Sequence, residues 1–418
     1  VTWTERRAAW AVLVVGGLGF VLVAAWLVPW HPVPGGLPDP VSAESVLAAD
    51  QIARAEDYSS LARWWSWSSL ALSLLVAGLL GFTRAGRAVV RRLPGPWPVR
   101  VVLAVAFCEV AGRLATLPLG IGLHQLQVDA GLATQGWLAW LRDVAVGQLL
   151  TIAVTGAVLV VVVACARRWR RAWPAVVGGS LGALVLLGSL AYPVVVEPLF
   201  NEFTPLPDGS LRNEILAAAQ LEGVTVDEVL VADASRRTTT LNAYVSGFGS
   251  TRRVVLYDNL VDQAPGDQVL SVVAHELAHA RYDDVLVGSV LGALAAMAGA
   301  GALGLLVARG RRAEGAVVLG PEDVPRVLAL VAVAVLVTSP VQATISRLVE
   351  TRADVTALET TGDPVAFVEL QRSLAVRSLA DPTPPAWSQL WFGTHPTLVE
   401  RVALARGWEA PGISSRQR

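Results

Sequence analysis

Residues 272–284 read VVAHELAHARYDD, and a long apolar run begins at the next position. Side chains four apart on an α-helix stack on one face. His275 and His279 therefore offer two imidazoles to a single point. Glu276 stands beside the first, where its carboxylate reaches a water held at that point without becoming a ligand itself. This is the HExxH spacing of zincins. ARYDD sets the motif just ahead of the apolar run rather than inside it, at the edge of a bilayer.

Outward from the motif, apolar sequence dominates. The chain of 418 residues is 54% hydrophobic and 16% charged, with a mean hydropathy of +0.53; soluble domains carry about 25% charged residues. Seven stretches come close to or reach the ~20 apolar residues of a membrane span: 8–28, 66–83, 99–123, 144–165, 175–196, 285–308 and 325–346. The first follows Arg6 and Arg7, but its apolar core is too long for a signal peptide. VPWHPVP offers no small-residue cleavage site, so a retained helix is expected. Net charge is −1 with no basic run, so the lipid bilayer is an expected partner and nucleic acid is not. Cys108 and Cys165 lie in apolar runs and read as small buried residues.

Every basic side chain among the 33 Lys and Arg is arginine, and the arginines sort by side. Those near 6–7, 84–100, 167–171 and 309–312 number 14, against Arg54, Arg63 and Arg142 in the alternate loops. The positive-inside rule then places the amino terminus in the cytoplasm and segments 197–284 and 347–418 on the outer face of the cell membrane. The expected organisation is five membrane helices over 1–196, a catalytic insert over 197–284, helices six and seven over 285–346, and a helical region over 347–418. In the third span Glu109 and Arg113 are one turn apart, as an ion pair or as the wall of a wet cavity.

Within the insert, a helix over 211–221 capped by Asp208 or Ser210 is expected. EVLVADAS, LNAYVSGFG and TRRVVLYDNLVD read as strands, the last two joined by a hairpin near Gly247–Gly249. Helix resumes near Asp267. After the seventh span SRLVETRADVTALETT reads as another helix, stopped at Gly362-Asp363-Pro364. One more helix follows, before a proline-rich break at 382–385.

A catalytic zinc needs a third protein ligand and an open position. The candidates are Asp283, Asp284, Glu350, Glu359 and His395. Asp283 is read as continuing the histidine helix, where three turns span about 12 Å, too far for one ion. Glu350 opens ETRAD on a separate helix and can approach from the facing side. Asp354, one turn on, can bond the outer nitrogen of a ligand histidine. In THPTLVERV, His395 is placed to donate to a developing oxyanion, and Arg401 to hold either an acidic partner or a substrate carbonyl. The residues leave both roles open. His31 and His124 read as interfacial.

LFNEFTPLPDG (199–209), NAYVSGFGSTRRVVLYDNL (242–260), HELAH (275–279), ETRAD (350–354) and HPTLVER (395–401), in that order and with seven spans, resemble the integral-membrane zinc metalloproteases of the type I CAAX prenyl protease family. That family also processes the yeast a-factor pheromone, and this chain looks like a bacterial member. The resemblance implies seven transmembrane helices around a chamber, joined to a small α+β zincin-like catalytic unit. It implies one Zn2+ on His275, His279 and Glu350, with Glu276 as general base, Asp354 behind the ligands, and His395 and Arg401 near substrate. It also implies that Asn242, Ala243 and Tyr244 lie on an edge strand to which a peptide or protein substrate, lipid-modified or not, adds by main-chain hydrogen bonds. Ala280 and Arg281 depart from the bulky aromatic and lysine of many relatives.

Peptide-bond hydrolysis is the expected activity, on CAAX-type or membrane-protein quality-control substrates. A transporter would leave the soluble inserts unexplained, and a non-catalytic zinc scaffold would not need Glu276. An intramembrane-cutting protease would carry HExxH inside a span.

Overall fold

The computed structural model describes residues 3–247, 249–314 and 319–408. The first half is α1 (Trp3–Leu27), α2 (Ala49–Phe82), α3 (Arg84–Arg91), α4 (Trp97–Asp129), α5 (Trp137–Arg168) and α6 (Trp173–Val195). The insert holds β1 (Phe203–Pro205), α7 (Ser210–Leu221), β2 (Glu228–Ala232), β3 (Ala243–Ser246), β4 (Arg253–Tyr257), α8 (Asp258–Gln263) and α9 (Gly266–Arg281). Then come α10 (Asp284–Glu314), α11 (Val324–Thr361), α12 (Pro364–Ser378), α13 (Ala386–Phe392) and α14 (Leu398–Arg406).

Among the described residues, seven helices are long and apolar enough to cross a membrane, at the seven expected places. Several overrun their apolar cores. α2 begins at Ala49 because ADQIARAEDYSSLAR contains good helix formers and neither Gly nor Pro. α10 packs on α6, α6 on α5, α5 on α4, α4 on α2 and α2 on α11; α11 touches α10 and closes a ring, with α1 against α10 and α6. These six helices form a closed ring of neighbours, with α11 also touching α4. The arginine-bearing ends converge in one buried cluster that includes Val90, Val101, Val163, Trp173, Ala300 and Val324. That cluster packs the bundle together at the end away from the catalytic unit. α1 and α10 touch backbone to backbone: a Cβ on Gly16 would lie 2.6 Å from Ala298 N, and one on Gly301 2.5 Å from Leu13 N. Small residues permit such close helix crossings in lipid.

The sheet runs β1-β2-β4-β3, parallel in the middle and antiparallel at both margins. One face, with Val229, Ala243, Val254 and Leu256, packs on Ile215 of α7 and Val273 and Leu277 of α9. β3 pairs with β4 alone, as the hairpin reading expects, so its other edge presents main-chain groups without strand partners among the described residues.

Three expectations need correction. α11 is one helix through the seventh span and ETRAD, not a span followed by a separate helix. Its interior Pro340 cannot donate to Leu336 O, and the indole Nε1 of Trp391 supplies that bond instead, at 3.0 Å. α7 is capped by Gly209 with no side-chain bond, while Asp208 sits 3.4 Å from Arg212. Arg113 donates across the bundle to Gln148 Oε1, 2.8 Å away on α5, rather than along its own helix. His124 is buried, stacked on Trp140 and edge-on to Trp137, each at 4.8 Å.

Just past α7, Glu222 is 5% exposed. Thr360 Oγ1 donates to its Oε1 at 3.0 Å, and its Oε2 is buried without a partner. Burial pushes this carboxyl up to about 7, against partial relief from Thr360 and Arg281. A raised acid pKa means the folded state binds the extra proton. Stability is therefore whole below about pH 4.5 and declines as pH climbs to about 7, by the order of 3 kcal/mol. Glu222→Gln is expected to flatten the melting temperature between pH 5 and 7.5; parallel wild-type and variant curves would refute the assignment.

Candidate active site

α9 is a buried helix: Val273, Ala274, Leu277 and Ala278 are each 0% exposed. The packing leaves His275 and His279 on the face turned to α11, their Nε2 atoms 3.3 Å apart and their rings at 87°. From α11, Glu350 sets Oε2 3.2 Å from His275 Nε2 and Oε1 3.6 Å from His279 Nε2. These three residues are the group of potential ligands whose donor atoms lie within 4.8 Å of one another among the described residues. Glu350 stands 26 residues along α11, about 39 Å at 1.5 Å per residue, beyond a hydrocarbon core of about 30 Å.

Zinc bonds of about 2.0–2.2 Å in a tetrahedron require ligand atoms roughly 3.3–3.5 Å apart. The 3.3 Å between the two Nε2 atoms and the 3.2 Å from His275 Nε2 to Glu350 Oε2 lie at that value, and the other carboxylate oxygen is 3.6 Å from His279 Nε2. Glu350 Oε2 is buried and accepts no hydrogen bond, which is costly for a carboxylate oxygen unless a cation takes it. Two imidazoles and one carboxylate are also the donor set of catalytic zinc. The residues fit the ion.

The outer nitrogens are held. His275 Nδ1 lies 2.9 Å from Asp354 Oδ1, and Asp354 is 0% exposed. Arg401 reaches Asp354 with both Nε, at 2.8 Å, and a terminal nitrogen, so of its two open roles it takes the acidic partner. Fixing the outer nitrogen sets the tautomer and aims the inner lone pair. Glu276 is half-buried beside this cluster. Burial raises its carboxyl pKa while the His275 and His279 charges pull it back.

His395 approaches from the loop before α14, with Nε2 3.4 Å from Glu350 Oε2 and its side chain 60% exposed. Thr394 Oγ1 lies 3.0 Å from its Nδ1, and Gln389 Nε2 donates to its carbonyl at 2.7 Å. Arg347, one turn before Glu350 on α11, clamps that loop by donating to the carbonyls of Gln389 (2.8 Å) and Gly393 (2.6 Å). Asn242 is exposed just ahead of β3 and lends its carbonyl to Tyr257 N at 3.0 Å; Ala243 and Tyr244 lie on the strand itself, which packs on α9. Sequence reasoning missed Arg347 and Gln389, whose roles exist only once α13 is seated on α11. It misplaced Asp283, which lies past the end of α9 with φ 52°, not on the histidine helix.

Residues 205–409 match the family model described as Peptidase family M48, and residues 31–202 match CAAX prenyl protease N-terminal, five membrane helices. The chain belongs to peptidase family M48. As an M48 protein it is a membrane metalloprotease of the CAAX prenyl protease kind. It is 27% identical over 386 residues, 89% of each chain, to the uncharacterized metalloprotease YhfN of Bacillus subtilis. It is 31% identical over 278 residues to the CAAX prenyl protease 1 homolog of Oryza sativa, covering 64% of this chain and 63% of that one. In fold, this M48 chain is similar to the crystal structure of S. mikatae Ste24p, with a TM-score of 0.69 at 19% identity over 97% of this chain and 99% of that one.

Proposed function

We propose that this metalloprotease is a zinc endopeptidase with one zinc per chain on His275, His279 and Glu350. The observation that carries the reading is the convergence of His275, His279 and Glu350, whose ligand atoms lie within 4.8 Å of one another, with Glu350 Oε2 buried and accepting no hydrogen bond. When bound, the ion supplies acidified water and a Lewis acid for the scissile carbonyl. Glu276 takes the proton of the attacking water and passes one to the leaving amine. His395 donates from Nε2 to the oxyanion as it develops. Asp354, gripped by Arg401, keeps His275 in register. The substrate lies extended beside Asn242, Ala243 and Tyr244 and bonds main chain to main chain with those β3 groups that face away from β4.

The substrates are CAAX-type or quality-control peptides of membrane proteins. Matched prenylated and unmodified peptides, incubated with detergent-purified enzyme and with Glu276→Gln as the blank, test this. Cleavage of the prenylated peptide alone assigns a CAAX-type substrate, and equal cleavage assigns a general membrane-bound peptidase. No cleavage of either by zinc-loaded enzyme sinks the endopeptidase reading.

The catalytic unit faces outward, as the arginine bias directs. A cysteine at position 208, where Asp208 is 99% exposed, is expected to react with an impermeant maleimide on intact cells. A cysteine replacing Arg91 should react only after lysis. The reverse pattern would put the site in the cytoplasm.

A further inference from the structure

Two charged residues of the motifs remain without a part in this chemistry: Asp284, which ends HELAHARYDD, and Arg352, the arginine of ETRAD. They meet at the metal site. His279 Nδ1 lies 2.9 Å from Asp284 Oδ2, and Arg352 donates a terminal nitrogen to Asp284 Oδ1. The Arg352 guanidinium lies 4.0 Å above the Tyr282 ring, so its plane is held as well as its charge. The Asp284 side chain is only 9% exposed and that of Arg352 18%.

We propose that Asp284 and Arg352 are positioning residues that fix His279 for metal capture, as Asp354 and Arg401 fix His275. The inference rests on the ligand reading above. A histidine bound to metal through Nε2 can still swing about its Cβ–Cγ bond. A carboxylate on Nδ1–H stops that swing and leaves the Nε2 lone pair facing Glu350 Oε1 and His275 Nε2. The chain is bent to allow it. Asp283 adopts φ 52°, a left-handed conformation uncommon for a residue other than glycine but tolerated by aspartate. That bend ends α9 and starts α10 so that the first carboxylate of α10 folds back over the second histidine. Arg252 pairs with Asp283 at the bend.

A plain helix-start role for Asp284 predicts otherwise. A first-turn acid bonds the free N–H groups of its own helix, whereas both Asp284 oxygens face His279 and Arg352. The result is a symmetric arrangement: each zinc histidine is backed by a carboxylate, and each carboxylate by an arginine from α11 or α14.

The test measures zinc affinity of the full-length protein in detergent, by competition with a chelator, without reference to turnover. Asp284→Ala is expected to weaken zinc about 10–100-fold. Asp284→Asn and Arg352→Gln should weaken it less, and Asp284→Ala with Arg352→Gln should be no weaker than Asp284→Ala alone. Cobalt-loaded Asp284→Asn should show altered visible bands. His279→Ala is the benchmark. If it binds zinc like wild type, the ligand reading itself is wrong. If it loses zinc while Asp284→Asn and Arg352→Gln keep wild-type affinity and spectrum, the ligands stand and the positioning role is overturned. Should Asp284→Ala fail to fold when zinc-free, the two milder variants decide alone.

Discussion

Replacing Glu276 by Gln is expected to leave zinc bound and to lower kcat by about 10²–10⁴-fold, the usual worth of a positioned acid–base group. That corresponds to roughly 3–5 kcal/mol of barrier. The amide would keep the shape of the side chain and its place one residue after His275, so the ligand triangle is untouched. It cannot accept a proton, so water activation and protonation of the leaving amine fail together. KM should change little, because main-chain bonding along β3 does not involve this side chain. Metal analysis beside steady-state kinetics checks both halves. Full activity with intact metal would remove Glu276 from the mechanism.

The second large effect concerns Asp354. It is 0% exposed between His275 and Arg401. Asp354→Ala would strand a buried guanidinium, and breaking a buried pair from one side costs about 3–5 kcal/mol. Arg401→Met alone should be similarly harmful. Asp354→Leu combined with Arg401→Met removes both charges and fills the space, so the double variant is expected to recover most of the lost stability. Zinc affinity should stay weak in it, since His275 Nδ1 remains without its carboxylate. Thermal melts of zinc-free protein and chelator competition separate the two. Recovery of both would mean that the pair serves folding alone.

HExxH was legible because its meaning is carried by spacing along one helix, and Glu350 with Asp354 was legible for the same reason. The seven apolar segments needed only composition and length. What escaped depends on where helices stop and which neighbours they meet. No local pattern states that Asp283 takes a left-handed bend, so Asp283 was read as one more turn of the histidine helix, and the return of Asp284 onto His279 was not foreseen. Arg113 looked paired within its turn because its partner Gln148 is on another helix. The unbroken α11 was read as two helices, since Pro340 is tolerated only through the indole of Trp391. β1 is three residues that include Pro205, too short to give a period.

α11 carries Glu350, and through Arg347 and Trp391 it also carries the loop that presents His395. The proposed ligand and the proposed oxyanion donor are therefore cargo of a single rod. Any shift of α11 moves Glu350 and His395 together against the histidines of α9. One joint between two helices sets the gauge of the whole tool.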